Sequence, residues 1–198
     1  MANALHVSRA LARLCRPEAQ SARIADLGAG DGQFMLCVAR RMRRPGTEVH
    51  LVDRADALDE TVVDAFAGLQ CKAIPATAEA HDFLARPGPP FDAIVANLFL
   101  HHFEAASLRR LLELASQRTA LFVACEPRRS RLALHASRLL RLMACNDVTR
   151  HDAVASVRAG FRGREVSGLW PDPAHWHLEE RPARPFGHLF LAARHATL

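Results

Sequence analysis

Between residue 22 and about residue 160, short apolar runs alternate with stretches whose apolar residues recur every three or four positions. The runs at 23–27, 48–53, 70–74, 92–97 and 120–125 have the length of strands. The segments 33–43, 55–68, 105–117 and 129–143 have helical spacing, the last through Leu132, Leu139, Leu140 and Met143. Such alternation predicts a parallel sheet with helices on both faces, a doubly wound α/β domain. After Phe161 the texture changes: 176–181 and 187–194 read as the arms of an antiparallel hairpin, and 165–169 as a short strand. Ahead of the sheet, Val7, Leu11 and Leu14 fall at i, i+4 and i+7, so 4–14 is an amphipathic helix that packs on the domain or covers its pocket.

A chain of 198 residues without repeats or linkers is expected to form one compact domain with one principal site. No apolar run approaches the roughly 20 residues that span a bilayer. Arg9, Arg13 and Arg16 interrupt any signal-peptide core, which predicts a cytoplasmic location. The five cysteines lack CxxC spacing and read as reduced core residues, with no metal site. A net charge of +5 raises nucleic acid as a partner, but the arginines are spread along the chain and Lys72 is the one lysine, so none is expected. Arg40, Arg41, Arg43 and Arg44 close a predicted helix, where positive charge complements the helix dipole.

The segment Ile24-Ala25-Asp26-Leu27-Gly28-Ala29-Gly30-Asp31-Gly32-Gln33-Phe34 reads as strand, glycine turn and helix start in succession. Glycines let a ligand approach the backbone closely, and the free N–H groups at the helix start favour an anionic ligand group. The spacing is GxGxG, not the GxGxxG of a dinucleotide site. Asp26 and Asp31 flank the turn. Two carboxylates there repel a pyrophosphate but suit a ligand carrying an ammonium and a sulfonium, which points to S-adenosylmethionine. Asp53 ends the second predicted strand, where an acid can accept hydrogen bonds from both hydroxyls of a ribose. Its alternative is to cap the helix predicted at 55–68.

With this loop, with Asp53, with the fourth-strand segment Phe91-Asp92-Ala93-Ile94-Val95-Ala96-Asn97 and with Glu126-Pro127 closing the fifth strand, the chain resembles the class I S-adenosylmethionine-dependent methyltransferases of small molecules. The resemblance implies strand order 3-2-1-4-5-7-6 with the seventh strand antiparallel. It also implies that Asp26, Gly28, Ala29 and Gly30 line the amino-acid part of the cofactor, with Asp53 and the adjacent Arg54 at the ribose. Asn97 and Leu98 would then border the methionine amino group, and Glu79 is the nearest match to the acid that meets the adenine amine.

Leu98-Phe99-Leu100-His101-His102-Phe103 follows the fourth strand, where this family borders the transferred methyl. It lacks the Asn/Asp/Ser-Pro-Pro-aromatic motif of enzymes that methylate amino groups of bases or the amide of glutamine. A small, aromatic or lipophilic acceptor methylated at oxygen is therefore expected; methylation of carbon or nitrogen and a nucleotide-binding oxidoreductase are the alternatives. An acceptor hydroxyl needs a base, the chain has no tyrosine, and histidine suits the task at neutral pH. His102 and His101 are the candidates, with His151 next to the helix start at Thr149–Asp152 as a third. Each has a structural alternative, an imidazole bonded to a backbone carbonyl or lying at the surface. The expected layout is an N-terminal helix within 1–20, a cofactor-binding core at 21–127, substrate-pocket helices at 128–162 and a terminal hairpin at 163–198. It leaves oligomeric state open.

Overall fold

The computed structural model describes residues 2–14, 21–129, 159–183 and 186–195. Five parallel strands, β1 (Arg23–Leu27), β2 (Glu48–Asp53), β3 (Lys72–Thr77), β4 (Ala93–Asn97) and β5 (Leu121–Pro127), are joined by β6 (Trp176–Ala183) and β7 (Gly187–Arg194). They form one sheet in the order β3-β2-β1-β4-β5-β7-β6, with β7 antiparallel to both neighbours. The central strands are buried on both sides, and side chains alternate between faces with the period of two that a strand imposes. Ile24, Val49, Val95, Val123 and Leu191 point to one face and pack with helices α1 (Ala2–Leu14), α2 (Gln33–Met42) and α3 (Glu60–Gly68). Leu27, Ile94, Phe122 and Phe190 point to the other and pack with α4 (Ala80–Ala85) and α5 (Ala105–Arg118).

The expected strand order and hairpin are thus present, and several local expectations shift for identifiable reasons. Helix α3 begins at Glu60, well after residue 55, because Asp59 takes the N-cap by accepting from the Thr61 N–H at 2.8 Å. Asp53 is therefore not a helix cap. Strand β3 starts at Lys72 and runs through Pro75, which an edge strand tolerates. The six-residue α4 is too short to announce itself by periodicity. The strand expected at 165–169 is a 3₁₀ turn, Ser167–Leu169. The N–H groups of Val166 and Ser167 and the Ser167 hydroxyl are taken by Glu180, so they are not available to a ladder. Burial alone would raise the Glu180 pKa, but His188 at 2.7 Å and these donors bring it below its ordinary value. His175 sits in a 3₁₀ turn ahead of β6 and does not share a strand face with the exposed His177.

Cys37, Cys71 and Cys125 are free thiols, and burial pushes the Cys125 thiol up to about 12. The helix expected at 129–143, the helix start near Thr149, and Cys15 and Cys145 lie outside the described residues, apart from Arg129 itself. Among the described residues no helix is long and apolar enough to cross a membrane, and no group of three His, Cys, Asp or Glu side chains is placed to hold a metal.

The N-terminal helix is core: Val7 and Leu11 are fully buried against the face that also holds Met35 and Leu189. Leu11→Ala should accordingly lower stability by about 2–4 kcal/mol in urea unfolding. A loss below about 0.5 kcal/mol would mean that α1 is a detachable cover.

Candidate active site

The chain reverses its direction of travel across the sheet between β1 and β4, and a cavity of about 400 Å³ opens beyond the carboxyl ends of β1, β2 and β4. One end is lined by Asp53, Arg54, Ala78 and Glu79, the other by Leu98, Phe99, His102 and Phe103, with Gly28 between them. Asp53 braces the glycine loop: its Oδ2 accepts from the Gly30 N–H at 2.9 Å and its Oδ1 from the Ala55 N–H at 3.0 Å. Each oxygen keeps a second lone pair for a ligand hydroxyl. Arg54 and Glu79 form an exposed pair at 3.8 Å across this end.

The glycines differ in what they are for. At Gly30, φ is +53° and no atom lies within 4 Å of where a Cβ would stand, so the loop leaves room on that side. At Gly28, φ is +72° and a Cβ would lie 2.2 Å from Phe99 Cδ2; this glycine is required by the phenyl ring that roofs it. Ala29 is buried, and its N–H, like that of Gly28, donates to the Val52 carbonyl, at 3.0 Å and 2.9 Å respectively, tying the loop to β2.

Beneath the loop Asp26 is only 1% exposed, and its Oδ2 has no hydrogen-bond partner. Burial, and then the charge of Asp53, raise its pKa from 3.8 to about 8. The group is therefore a neutral acid at pH 7, with an unpaired oxygen that a cationic ligand group can convert into a carboxylate partner. Asn97, at the end of β4, accepts through Oδ1 from Asn3 Nδ2 at 2.8 Å, which fastens the start of α1 to this edge. Leu98 follows in the left-handed region with φ +54°, about half exposed, its N–H bound to the Cys125 carbonyl at 2.9 Å.

The two adjacent histidines have different surroundings. The His101 side chain is 4% exposed and its Nδ1 stands 2.8 Å from Glu126 Oε2. A carboxylate only accepts, so Nδ1 carries the proton. The partner, Glu126, is 1% exposed. Its Oε1 accepts from the N–H groups of Phe99 at 3.0 Å and Leu100 at 2.9 Å. His102 faces the cavity, and its ring centroid lies 4.1 Å from that of His101. Burial first and His101 second lower its pKa, with Glu126 pulling the other way, so it stands as the neutral imidazole at pH 7. His151 lies outside the described residues.

Of the residues singled out in the sequence, the structure brings Gly28, Asp53, Arg54, Glu79, Leu98 and His102 to one cavity and leaves His101 outside its lining; sequence reasoning assigned nothing to Phe99, Phe103, Asn3 or the Glu126 side chain. An acid ending a strand of otherwise apolar residues is itself a signal, since acids are rarely buried without partners.

A family model described as a methyltransferase domain matches residues 24–120. No curated protein matches the sequence. Similar structures include a candidate O-methyltransferase of Nostoc punctiforme PCC 73102, at TM-score 0.69 and 16% identity, where 98% of this chain spans 56% of that one. The plantazolicin methyltransferase BpumL, in complex with S-adenosylhomocysteine, has TM-score 0.68 and 14% identity, over 98% of this chain and 82% of its own. The mitomycin 7-O-methyltransferase MmcR has TM-score 0.61 and 16% identity, over 96% and 52%. The chain thus spans little more than half the length of the first and the last.

The buried acid gives a signed prediction for the free protein. Asp26 keeps its proton to about 8 when folded and loses it near 3.8 when unfolded, so the unfolded state binds fewer protons between these values. Stability should therefore fall as pH rises through that window, by up to about 1.4 kcal/mol per unit from this group. Asp26→Asn lacks this loss, so in chemical denaturation the variant's stability relative to wild type should climb between pH 5 and pH 8 on the order of one to a few kcal/mol. A difference independent of pH would contradict the buried neutral acid.

Proposed function

We propose that the chain is a class I S-adenosylmethionine-dependent methyltransferase and that it methylates a small aromatic or lipophilic acceptor, at an oxygen; a methyltransferase-domain model over residues 24–120 and the shared fold support this. The observation that carries the reading is the unpartnered oxygen of buried Asp26, on the strand that leads into a glycine loop with open space at Gly30, together with a cavity lined by Gly28 of that loop, Asp53 and His102. That donor set fits the cofactor. Asp26 offers a carboxylate to an amino group, Asp53 offers lone pairs to ribose hydroxyls, and Glu79 with Ala78 and Ala80 bounds the adenine end. Asn97 and Leu98 border the amino-acid part. The bound cofactor supplies an electrophilic methyl group on a sulfonium.

The chain's own residues do the remaining work. Phe99 and Phe103, whose rings meet edge to face at 5.0 Å, form an apolar wall that excludes water beside the reacting atoms. His102 accepts the hydroxyl proton as the acceptor oxygen attacks; its lowered pKa keeps it neutral and ready to do so at pH 7. His101 is committed to Glu126, which leaves His102 as the base. In this reading 1–198 is one domain; of the segment 128–162, where substrate-pocket helices are expected, residues 130–158 lie outside the described residues. Similarity to a structure named a 7-O-methyltransferase supports oxygen as the acceptor atom.

Incubation with methyl-labelled cofactor and a fractionated cell extract tests the reading. Label should enter a small organic-soluble product. His102→Ala should cut transfer about a hundredfold while holding S-adenosylhomocysteine affinity within about threefold. Label found in protein or nucleic acid would overturn the substrate class, and undiminished transfer by the variant would overturn the base.

A further inference from the structure

The Glu126 carboxylate sits near the end of β5, beside the loop that carries the histidines, and among the described residues its side-chain hydrogen bonds all go to the segment 99–101. Phe99 N–H and Leu100 N–H donate to Oε1, and His101 donates to Oε2 from Nδ1 at 2.8 Å and from its backbone N–H at 3.4 Å. Four donors converge on one acid that is 1% exposed. The His101 ring so fixed lies against the His102 ring, at 4.1 Å between centroids and 36° between planes, and His102 in turn lines the cavity. The same turn sets Phe99 over Gly28 and Phe103 against Phe99 and His81.

We propose that Glu126 and His101 are positioning residues for His102: the carboxylate fixes the turn and the His101 tautomer, and the His101 ring holds the His102 imidazole toward the cavity. This rests on the reading of His102 as the base. A mere fold contact would require only that Glu126 cap the two backbone N–H groups. The side-chain bond to His101 Nδ1 goes further, because it selects which nitrogen of that ring carries the proton and leaves Nε2 as an acceptor. The arrangement also admits one positive charge and not two. A proton arriving on His102 is attracted by Glu126, on β5, and opposed by any charge on His101 and by Arg54 after β2. Glu79, which shares the cavity, is paired with Arg54.

Nitrogen-15 NMR of the histidine side chains in the full-length protein, with no acceptor present, tests this independently of whether methyl transfer is ever detected. In the wild type His101 should be protonated at Nδ1. In Glu126→Gln, the amide oxygen can still accept from Phe99 and Leu100 while its NH₂ faces His101, so the His101 proton should move to Nε2. His102 should then titrate lower, because a negative charge that favours its protonated form has gone. In His101→Asn, which can keep a donor to Glu126 but removes the second ring, His102 should titrate higher. Opposite shifts in the two variants, with S-adenosylhomocysteine affinity within about threefold of wild type in both, are the expected result. Wild-type His101 protonated at Nε2, or His102 shifts of the same sign or of zero in the two variants, would overturn the proposal. Should Glu126→Gln fail to fold, the wild-type tautomer and the His101→Asn titration decide alone.

Discussion

Where β1 and β4 lie side by side, the chain leaves them toward opposite faces of the sheet, from β1 into α2 and from β4 toward α5. No single connection can cover both carboxyl ends, and a crevice opens at that seam. Everything the site contains follows from which residues the two strands deliver there. β1 runs into Gly28–Gly32, β4 into Asn97–Phe103, and the neighbours β2 and β5 add Asp53 and Glu126. The fully buried apolar residues Ile24, Leu27, Ile94 and Val95 fix these ends rigidly, so a loop's few polar atoms are held by a core they do not belong to.

Two buried acids at this end of the sheet show how environment divides roles. Glu126 is surrounded by donors and serves architecture; its energy is already satisfied within the chain. Asp26 is as deeply buried but has an oxygen with no partner and a pKa pushed up to about 8. An unpaired buried polar oxygen costs roughly 1–3 kcal/mol, which a ligand's donor can recover. The first acid therefore shapes the turn at 99–101, and the second is the place where a cationic ligand group gains most.

Much of this was legible in the sequence. The limits of β1, β2 and β7 coincide with the apolar runs, because period-two burial writes itself directly into residue order, and the glycine loop and Asp53 announce a nucleoside-type ligand by spacing and charge. What stayed hidden depends on contacts between distant segments. The fit of Phe99 onto Gly28 joins positions 71 apart, and the bond of Glu126 to His101 joins positions 25 apart. The turn at Ser167–Leu169 looked like a strand because its β-prone neighbours said nothing of Glu180 waiting beneath it. Helix α4 was missed because six residues hold less than two turns of pattern.

The central claim is that a cationic cofactor meets Asp26 in this crevice, and calorimetry of S-adenosylhomocysteine binding in buffers of different ionisation enthalpy tests it most directly by counting protons. At pH 7 binding should be accompanied by release of about one proton as Asp26 ionises against the ligand's amino group, and Asp26→Asn should bind more weakly with no such release. Absence of binding, with NAD(P) binding in its stead, or binding with the same proton count in both proteins, would contradict the account.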